Sequence, residues 1–421
     1  MDSGWHQWNT RNKRNGNKKM NIKQVEDKYF MHTYRRSNLV IKKTKNQFIW
    51  DEKGKKYLDF FSGISVCNIG HCNEAVIKAV KVQLGSFAHV SNLYYAPVQI
   101  KLGEELAKRS FPQARVFLSN SGAEANECAI KLARKFGFLN PSKSGKRYEI
   151  ICFNDSFHGR SMATASATGQ QRFHEYLKPL QEKFVFAEVN NIDSVKELVN
   201  DRTVAVMIEP IQGEGGIIPA EKTFLRELRE FCDDKNLLLI LDEIQCGIGR
   251  TGKFYAFESY DIRPDIVTIA KSLANGLPLG ATIAGKKCAE VFVYGDHGST
   301  FGGNPVSCAA ALAVLKILNA KFLNNSVKTA KYLRGKLEDL KKKYSIIKEV
   351  RGVGLMLGVE LTVNAQKVVG YCLDKGLVVN CTRDTVIRIL PALIITKKDI
   401  DNAIKILDEA LKWQTKILKN G

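Results

Sequence analysis

The sequence predicts an α/β fold, in which a large domain with a central, mostly parallel sheet is joined by a smaller α+β domain drawn from both chain ends. Three observations predict it. Short apolar runs alternate with helical periodicity through the middle of the chain. Four of those runs stop at residues able to do chemistry: 116–118 before Ser119, 204–208 before Glu209, 237–241 before Asp242 and 266–270 before Lys271. A β-prone stretch near the start and a mixed region after about residue 316 supply the smaller domain. Runs this continuously apolar suit strands buried on both faces of a parallel sheet. Ligands gather at the carboxyl ends of such strands, so the four strand ends predict one shared site.

In chain order, residues 1–20 form a polar Asn- and Lys-rich arm, expected to be disordered and dispensable, with Met20 as a second possible start. Residues 48–60 read as a hairpin, two β-prone runs around a polar turn containing Gly54. Helical periodicity begins at about Glu74. After 116–118 the chain passes through Asn120, Ser121 and Gly122 into a helix with the apolar face Ala125, Ala129, Leu132 and Phe136, and Asn120 or Ser121 can cap it. Beyond residue 316 comes a long amphipathic helix, then strands and helices within 346–361 and 376–395. The expected division is an N-terminal segment, 21–80, with part of the small domain, a large domain over 81–318, and the rest of the small domain over 319–421.

Composition narrows the function. With 421 residues, 44% of them hydrophobic and 25% charged, the chain can bury a full two-domain core. No apolar run approaches the roughly 20 residues that span a bilayer, and no secretory stretch begins the chain, so membrane association is not expected and the cytoplasm is. Ten scattered cysteines suit a reduced compartment. Cys67, His71 and Cys72 are too few ligands for a zinc site, so no metal is expected. The net charge of +21 is spread along the chain without an aromatic-basic platform, which argues against nucleic acid and leaves anionic small substrates or a solvated surface.

The strand ends carry the chemistry. Free N–H groups at the helix start after Ser121 and Gly122 favour a phosphate, or belong to an ordinary capped helix. Asp242, at the end of an apolar strand, needs a buried cationic partner: a protonated pyridine nitrogen, or a structural Arg. Gln245 can offer an amide to a neighbouring phenolate oxygen. Lys271 enters a Gly- and Pro-rich turn, a position suited to a lysine nucleophile of lowered pKa. Gly247, Gly249 and Gly252 match G-x-G-x-x-G, but no amphipathic helix follows, so a dinucleotide site is not expected.

Six segments together resemble the class III (ornithine/acetylornithine type) family of fold-type I, pyridoxal-phosphate-dependent aminotransferases, over roughly residues 29–411. They are Ser121-Gly122-Ala123-Glu124-Ala125-Asn126, Phe157-His158-Gly159-Arg160, residues 209–216, Asp242-Glu243-Ile244-Gln245, Ala270-Lys271, and residues 298–305. The resemblance implies that Ser121, Gly122 and Ala123 hold the phosphate of pyridoxal 5'-phosphate, Phe157 stacks on its ring, Asp242 pairs with the ring nitrogen and Gln245 sits by the ring hydroxyl. Lys271 would carry the cofactor on its amine and move the substrate proton. Ser299 and Thr300 would enter from a second subunit, Thr300 to the phosphate, making an obligate homodimer with shared active sites. Residues 89–95, 376–380 and 386–391 are most similar to members acting on N2-acetylornithine, whose δ-amino group passes to 2-oxoglutarate to give N-acetylglutamate 5-semialdehyde and glutamate in arginine biosynthesis. Arg160 would then take the substrate carboxylate, Arg388 the α-carboxylate of 2-oxoglutarate or glutamate, and Glu209 would neutralise Arg388 when no carboxylate is there. Another ω-aminotransferase, acting on ornithine, succinylornithine or 4-aminobutyrate, is the nearest alternative. A non-catalytic cofactor- or nucleic-acid-binding protein is the distant one.

Overall fold

The computed structural model describes residues 21–420, so the arm 1–20 lies outside the described residues. Residues 21–41 form a unit of their own with one helix, Ile22–Tyr29. Asn21 caps it, accepting from the N–H groups of Lys23 and Gln24, while the Gln24 side chain accepts from Asn21 N–H.

The remainder is organised on a seven-stranded sheet. In chain order its strands are β1 Arg115–Ser119, β2 Glu149–Phe153, β3 Phe184–Ala187, β4 Thr203–Ile208, β5 Leu238–Asp242, β6 Ile266–Ile269 and β7 Gly280–Ala284. In space they run β1-β7-β6-β5-β4-β2-β3, and only β7 is antiparallel to its neighbours. Every residue of β4, β5 and β6 is buried, which is why these strands are apolar on both faces. Because β1, β4, β5 and β6 share one direction, their carboxyl ends lie along one edge. That edge gathers Ser119, Glu209, Asp242 and Lys271, as the apolar runs predict.

β7 returns between β1 and β6, and Gly280 pairs with Ser119. A Cβ at Gly280 would stand 2.4 Å from the Ser121 carbonyl oxygen, so glycine lets the strand pass under the helix start. That helix, Gly122–Leu139, buries Ala125, Ala129, Leu132 and Phe136 over the sheet, and its cap is Ser121, whose Oγ accepts from Glu124 N–H at 3.2 Å.

A second sheet is antiparallel throughout. Its strands β8 Ile347–Val353, β9 Met356–Leu361, β10 Asn380–Thr382 and β11 Val386–Ile389 run in the order β8-β9-β11-β10. The hairpin of Phe48–Asp51 and Lys56–Asp59 turns through Gly54 at φ +85°, and Leu58 pairs with Leu377 of the short strand Leu377–Val378. Early and late chain segments thus share one sheet. Among the described residues, no single helix is long and apolar enough to cross a membrane.

Gly137 gives the fold a sharp test. In a helix interior Ala is normally better than Gly by about 1 kcal/mol. Here a Cβ would stand 2.1 Å from the Arg147 carbonyl oxygen and 2.8 Å from Val204 Cγ2. Gly137→Ala is therefore expected to destabilise by about 1–3 kcal/mol, read as a lower midpoint in urea denaturation. A raised midpoint would show that the helix stands further from the sheet.

Candidate active site at the carboxyl edge of the sheet

Asp242 ends β5 with its side chain buried and fully engaged. Oδ1 accepts from Ile244 N–H at 3.0 Å. Oδ2 accepts from Asn126 Nδ2 at 2.7 Å and lies 2.8 Å from His158 Nδ1, which places the proton on that nitrogen. Asn126 is itself held, since its Oδ1 accepts from Thr268 Oγ1 at 2.7 Å and its Nδ2 also donates to the His158 carbonyl at 2.8 Å. His158 Nε2 is buried and has no hydrogen-bond partner among the described residues. Sequence pattern alone assigns Asn126 and His158 no role. The available signal was a buried amide on the otherwise apolar inner face of a helix.

Lys271 follows β6 with φ +43°, a left-handed conformation that a non-glycine residue keeps only when its surroundings enforce it. Burial lowers the pKa of its amine, and the charge of Arg388 adds to that. Glu214, Asp242 and Glu209 act the other way without overcoming it. Beside them, the helix start leaves Gly122 and Ala123 N–H without acceptors among the described residues, as Ser121 Oγ serves Glu124. A Cβ on Gly122 would meet Ile244 Cδ1 at 2.8 Å, so glycine brings the helix start against the segment after Asp242. Phe157 is half-buried, and Arg160 is exposed with its guanidinium 4.1 Å from the Phe173 ring centre and 5.5 Å from that of Phe157. Ser299 Oγ accepts from Asn120 Nδ2 at 3.1 Å, and Thr300 faces residues 89–92 on the same loop.

The acidic partner of Arg388 differs from expectation. Arg388, on β11 and almost fully buried, pairs through Nη1 with Glu214, not Glu209. Its Nε and Nη2 donate to Asn380 Oδ1 at 3.1 and 2.7 Å, and Nη1 reaches Gln245 Oε1 at 3.4 Å. The reason is local geometry. Glu209 is turned back at the end of β4, where its carboxylate accepts from Phe157 N–H at 2.9 Å and Gly213 N–H at 3.0 Å. Thr382 Oγ1 donates to the Glu214 carbonyl at 2.8 Å and so docks Glu214 beside β10 and β11. Burial would raise the Glu214 carboxyl, but Arg388 outweighs it and holds it below its usual range. Glu209 lacks that cation: burial first, then the charge of Asp242, push it up to about 7 against His158 and its two N–H donors.

Among the described residues, no group of three or more His, Cys, Asp and Glu side chains is arranged to hold a metal. His71 Nε2 is instead 2.7 Å from Asp59 Oδ2. Free N–H groups at a helix start, a buried carboxylate locked by its donors, an orphaned buried imidazole nitrogen beside it and a lysine with a weakened proton suit a phosphorylated pyridine aldehyde.

Comparison with known proteins agrees. Residues 29–411 match the family described as Aminotransferase class-III. The chain is 47% identical over 386 residues to the acetylornithine aminotransferase of Methanocaldococcus jannaschii, covering 91% of this chain and 96% of that one. It is 44% identical to the acetylornithine aminotransferase of Aquifex aeolicus, covering 91% of this chain and all of that one. Among solved structures, the ornithine aminotransferase of Toxoplasma gondii superposes with a TM-score of 0.88 at 31% identity, over 93% of this chain and 94% of that one. The N-acetylornithine aminotransferase of Stenotrophomonas maltophilia gives 0.80 at 34% identity, over 93% and 99%. The chain belongs to the class III aminotransferase family. It is a pyridoxal-phosphate-dependent transaminase.

Glu209 sets a pH test. Its folded pKa lies above the unfolded value near 4.5, so the folded state holds the proton longer. Its contribution to stability is full below pH 4.5 and is lost as pH rises toward 7. Glu209→Gln should be less stable overall, since its NH2 would face an N–H donor, yet show a flatter decline across that window in urea denaturation. A decline as steep as in the unmodified protein would remove Glu209 as its source.

Proposed function

We infer that this chain transfers the δ-amino group of N2-acetylornithine to 2-oxoglutarate, giving N-acetylglutamate 5-semialdehyde and glutamate, a step of arginine biosynthesis. The observation that carries this reading is the Arg388–Glu214 pair beside Lys271, an arginine buried at the site with a carboxylate that can stand in for an absent ligand. The relatives named above as acetylornithine aminotransferases, at 44–47% identity, favour the acetylated donor over ornithine.

The proposed division of labour places cofactor binding in residues 81–318, with 21–80 and 319–421 contributing the smaller domain. Gly122 and Ala123 N–H, with Ser121 and with Thr300 of a second copy, would hold the phosphate; Phe157 would cover the ring and Gln245 would sit beside it. Asp242, held in place by Asn126, His158 and Ile244 N–H, would pair with the protonated ring nitrogen. When bound, pyridoxal phosphate supplies an electron sink for the carbon that loses its proton. Lys271, whose amine is made easier to deprotonate by burial, would carry the proton from the substrate carbon bearing nitrogen to the aldehyde carbon of the cofactor.

The two substrates present different groups. Acetylornithine offers an amine far from its carboxylate, which Arg160 would hold while Arg388 stays with Glu214. Glutamate offers an amine next to a carboxylate, and Arg388, released from Glu214, would hold that group with a planar fork. Glu214 thus takes the role expected of Glu209. A panel of N2-acetylornithine, ornithine, succinylornithine and 4-aminobutyrate with 2-oxoglutarate tests the reading. The expected result is a kcat/KM at least about ten-fold higher for acetylornithine, about 1.4 kcal/mol of discrimination. A higher value for any other donor overturns it.

We also propose that the working form is a homodimer, to which Ser299 contributes beside Thr300. Leu93, Tyr94 and Tyr95 are more than two-thirds exposed. Asn92 ties their segment to the Ser299 and Gly302 carbonyls, near the exposed Phe301. An apolar surface of this kind favours a protein partner. Sedimentation equilibrium of the purified enzyme is expected to give twice the chain mass; a monomer with full activity would refute the shared site.

A further inference from the structure

The glycine-rich segment 247–252 turns its arginine into the interior. Gly249 and Gly252 take φ +86° and +95°, and Ile248 takes +52°, curling the loop so that Arg250 enters the interior. Arg250 is wholly buried. Its Nε donates to Ser65 Oγ at 2.8 Å, Nη1 donates to the carbonyls of Leu355 at 3.1 Å and Pro391 at 2.5 Å, and Nη2 donates to Asn68 Oδ1. All of these acceptors are neutral, and among the described residues no carboxylate forms an ion pair with Arg250. A guanidinium costly to bury is thus spent on holding four chain segments together.

Two of those segments lead to Arg388. Pro391 lies three residues beyond it on the chain leaving β11. Ser65 Oγ lies 3.1 Å from the Gln245 carbonyl, and the Gln245 side chain accepts from Arg388. Ser65 ends a run, Ser62 to Ser65, in which every φ lies between +50° and +64°, a left-handed turn that non-glycine residues keep only when held.

We propose that Arg250 is a positioning residue for substrate binding, tying Pro391 and Ser65 to one buried guanidinium so that Arg388 and Gln245 keep a fixed spacing. Burial lowers the pKa of Arg250 to about 9, opposed by the charge of Asp59, which fits a cation held for its hydrogen bonds and not for a salt bridge. Lysine would be a poor replacement, because an ammonium cannot present donors in the planar fork that these acceptors meet. The inference rests on the reading of Arg388 as the 2-oxoglutarate and glutamate carboxylate site.

Binding of glutarate, a dicarboxylate without amino or keto group, to the purified holoenzyme by calorimetry separates positioning from simple stability. Melting temperature and the single-turnover rate with acetylornithine are measured alongside. Arg250→Lys is expected to weaken glutarate by roughly ten-fold or more, since small misplacements of a binding group are costly. The milder Ser65→Ala should shift it the same way by about two- to five-fold, and decides the matter if Arg250→Lys does not fold. The acetylornithine half-reaction should stay within about two-fold of the unmodified enzyme in both variants. Unchanged glutarate binding in the variants that fold, or a loss in the acetylornithine half-reaction as large as the loss in glutarate binding, overturns the proposal. Unmodified enzyme that fails to bind glutarate refutes the Arg388 reading and this one with it. Enzyme that binds glutarate but ignores acetylornithine refutes only the donor, and the comparison is then made with the preferred amine.

Discussion

The structure depends on a carboxylate buried at the end of a wholly buried strand. Asp242 sits where three apolar strands run side by side, and a bare charge there would cost several kcal/mol. Three donors meet it: Ile244 N–H from the turn that follows, Asn126 from the helix above the sheet, and His158 from the loop after β2. Each requires its own element to be in register, so the carboxylate's solvation specifies how helix, loop and sheet pack. The same desolvation that makes Asp242 expensive makes it a strong partner for a protonated ring nitrogen.

Around that anion the other ionisable groups are separated by environment. Glu209 and Glu214 are five residues apart and chemically identical, yet one is pushed up by burial and the other is held down by Arg388. The difference lies in what each faces. Glu209 is turned onto backbone N–H groups beside Asp242, while Glu214 is carried by its docked carbonyl to a guanidinium. Lys271 lies within the field of all four charged neighbours, with burial deciding the direction. Opposed shifts among neighbouring groups are common where a site moves protons.

The second sheet matters because it brings Arg388 to this cleft, and it is fastened from behind. Arg250 and the left-handed turn that ends at Ser65 form a neutral-acceptor cluster whose members lie far apart in sequence. Close approach is bought with glycine at Gly280 and Gly122, where any side chain would strike the Ser121 carbonyl or Ile244.

Much of this was legible in the sequence. Three of the four continuous apolar runs identified fully buried strands, while the run at 116–118 belongs to the half-buried edge strand β1; a Ser before a helical pattern identified the cap, and the chemistry-bearing residues stood at the strand ends, because burial and helix capping are local demands. The family resemblance ranked Lys271, Asp242, Arg160 and Arg388 as site residues, and the fold gathers Lys271, Asp242 and Arg388 into one charged neighbourhood. What the sequence did not determine is which acid meets Arg388, what locks Asp242, and why Gly247-Ile248-Gly249-Arg250 exists. Each answer includes a contact between residues more than a hundred positions apart. Local patterning says that a side chain must be buried or paired; only the packing of distant segments decides with what.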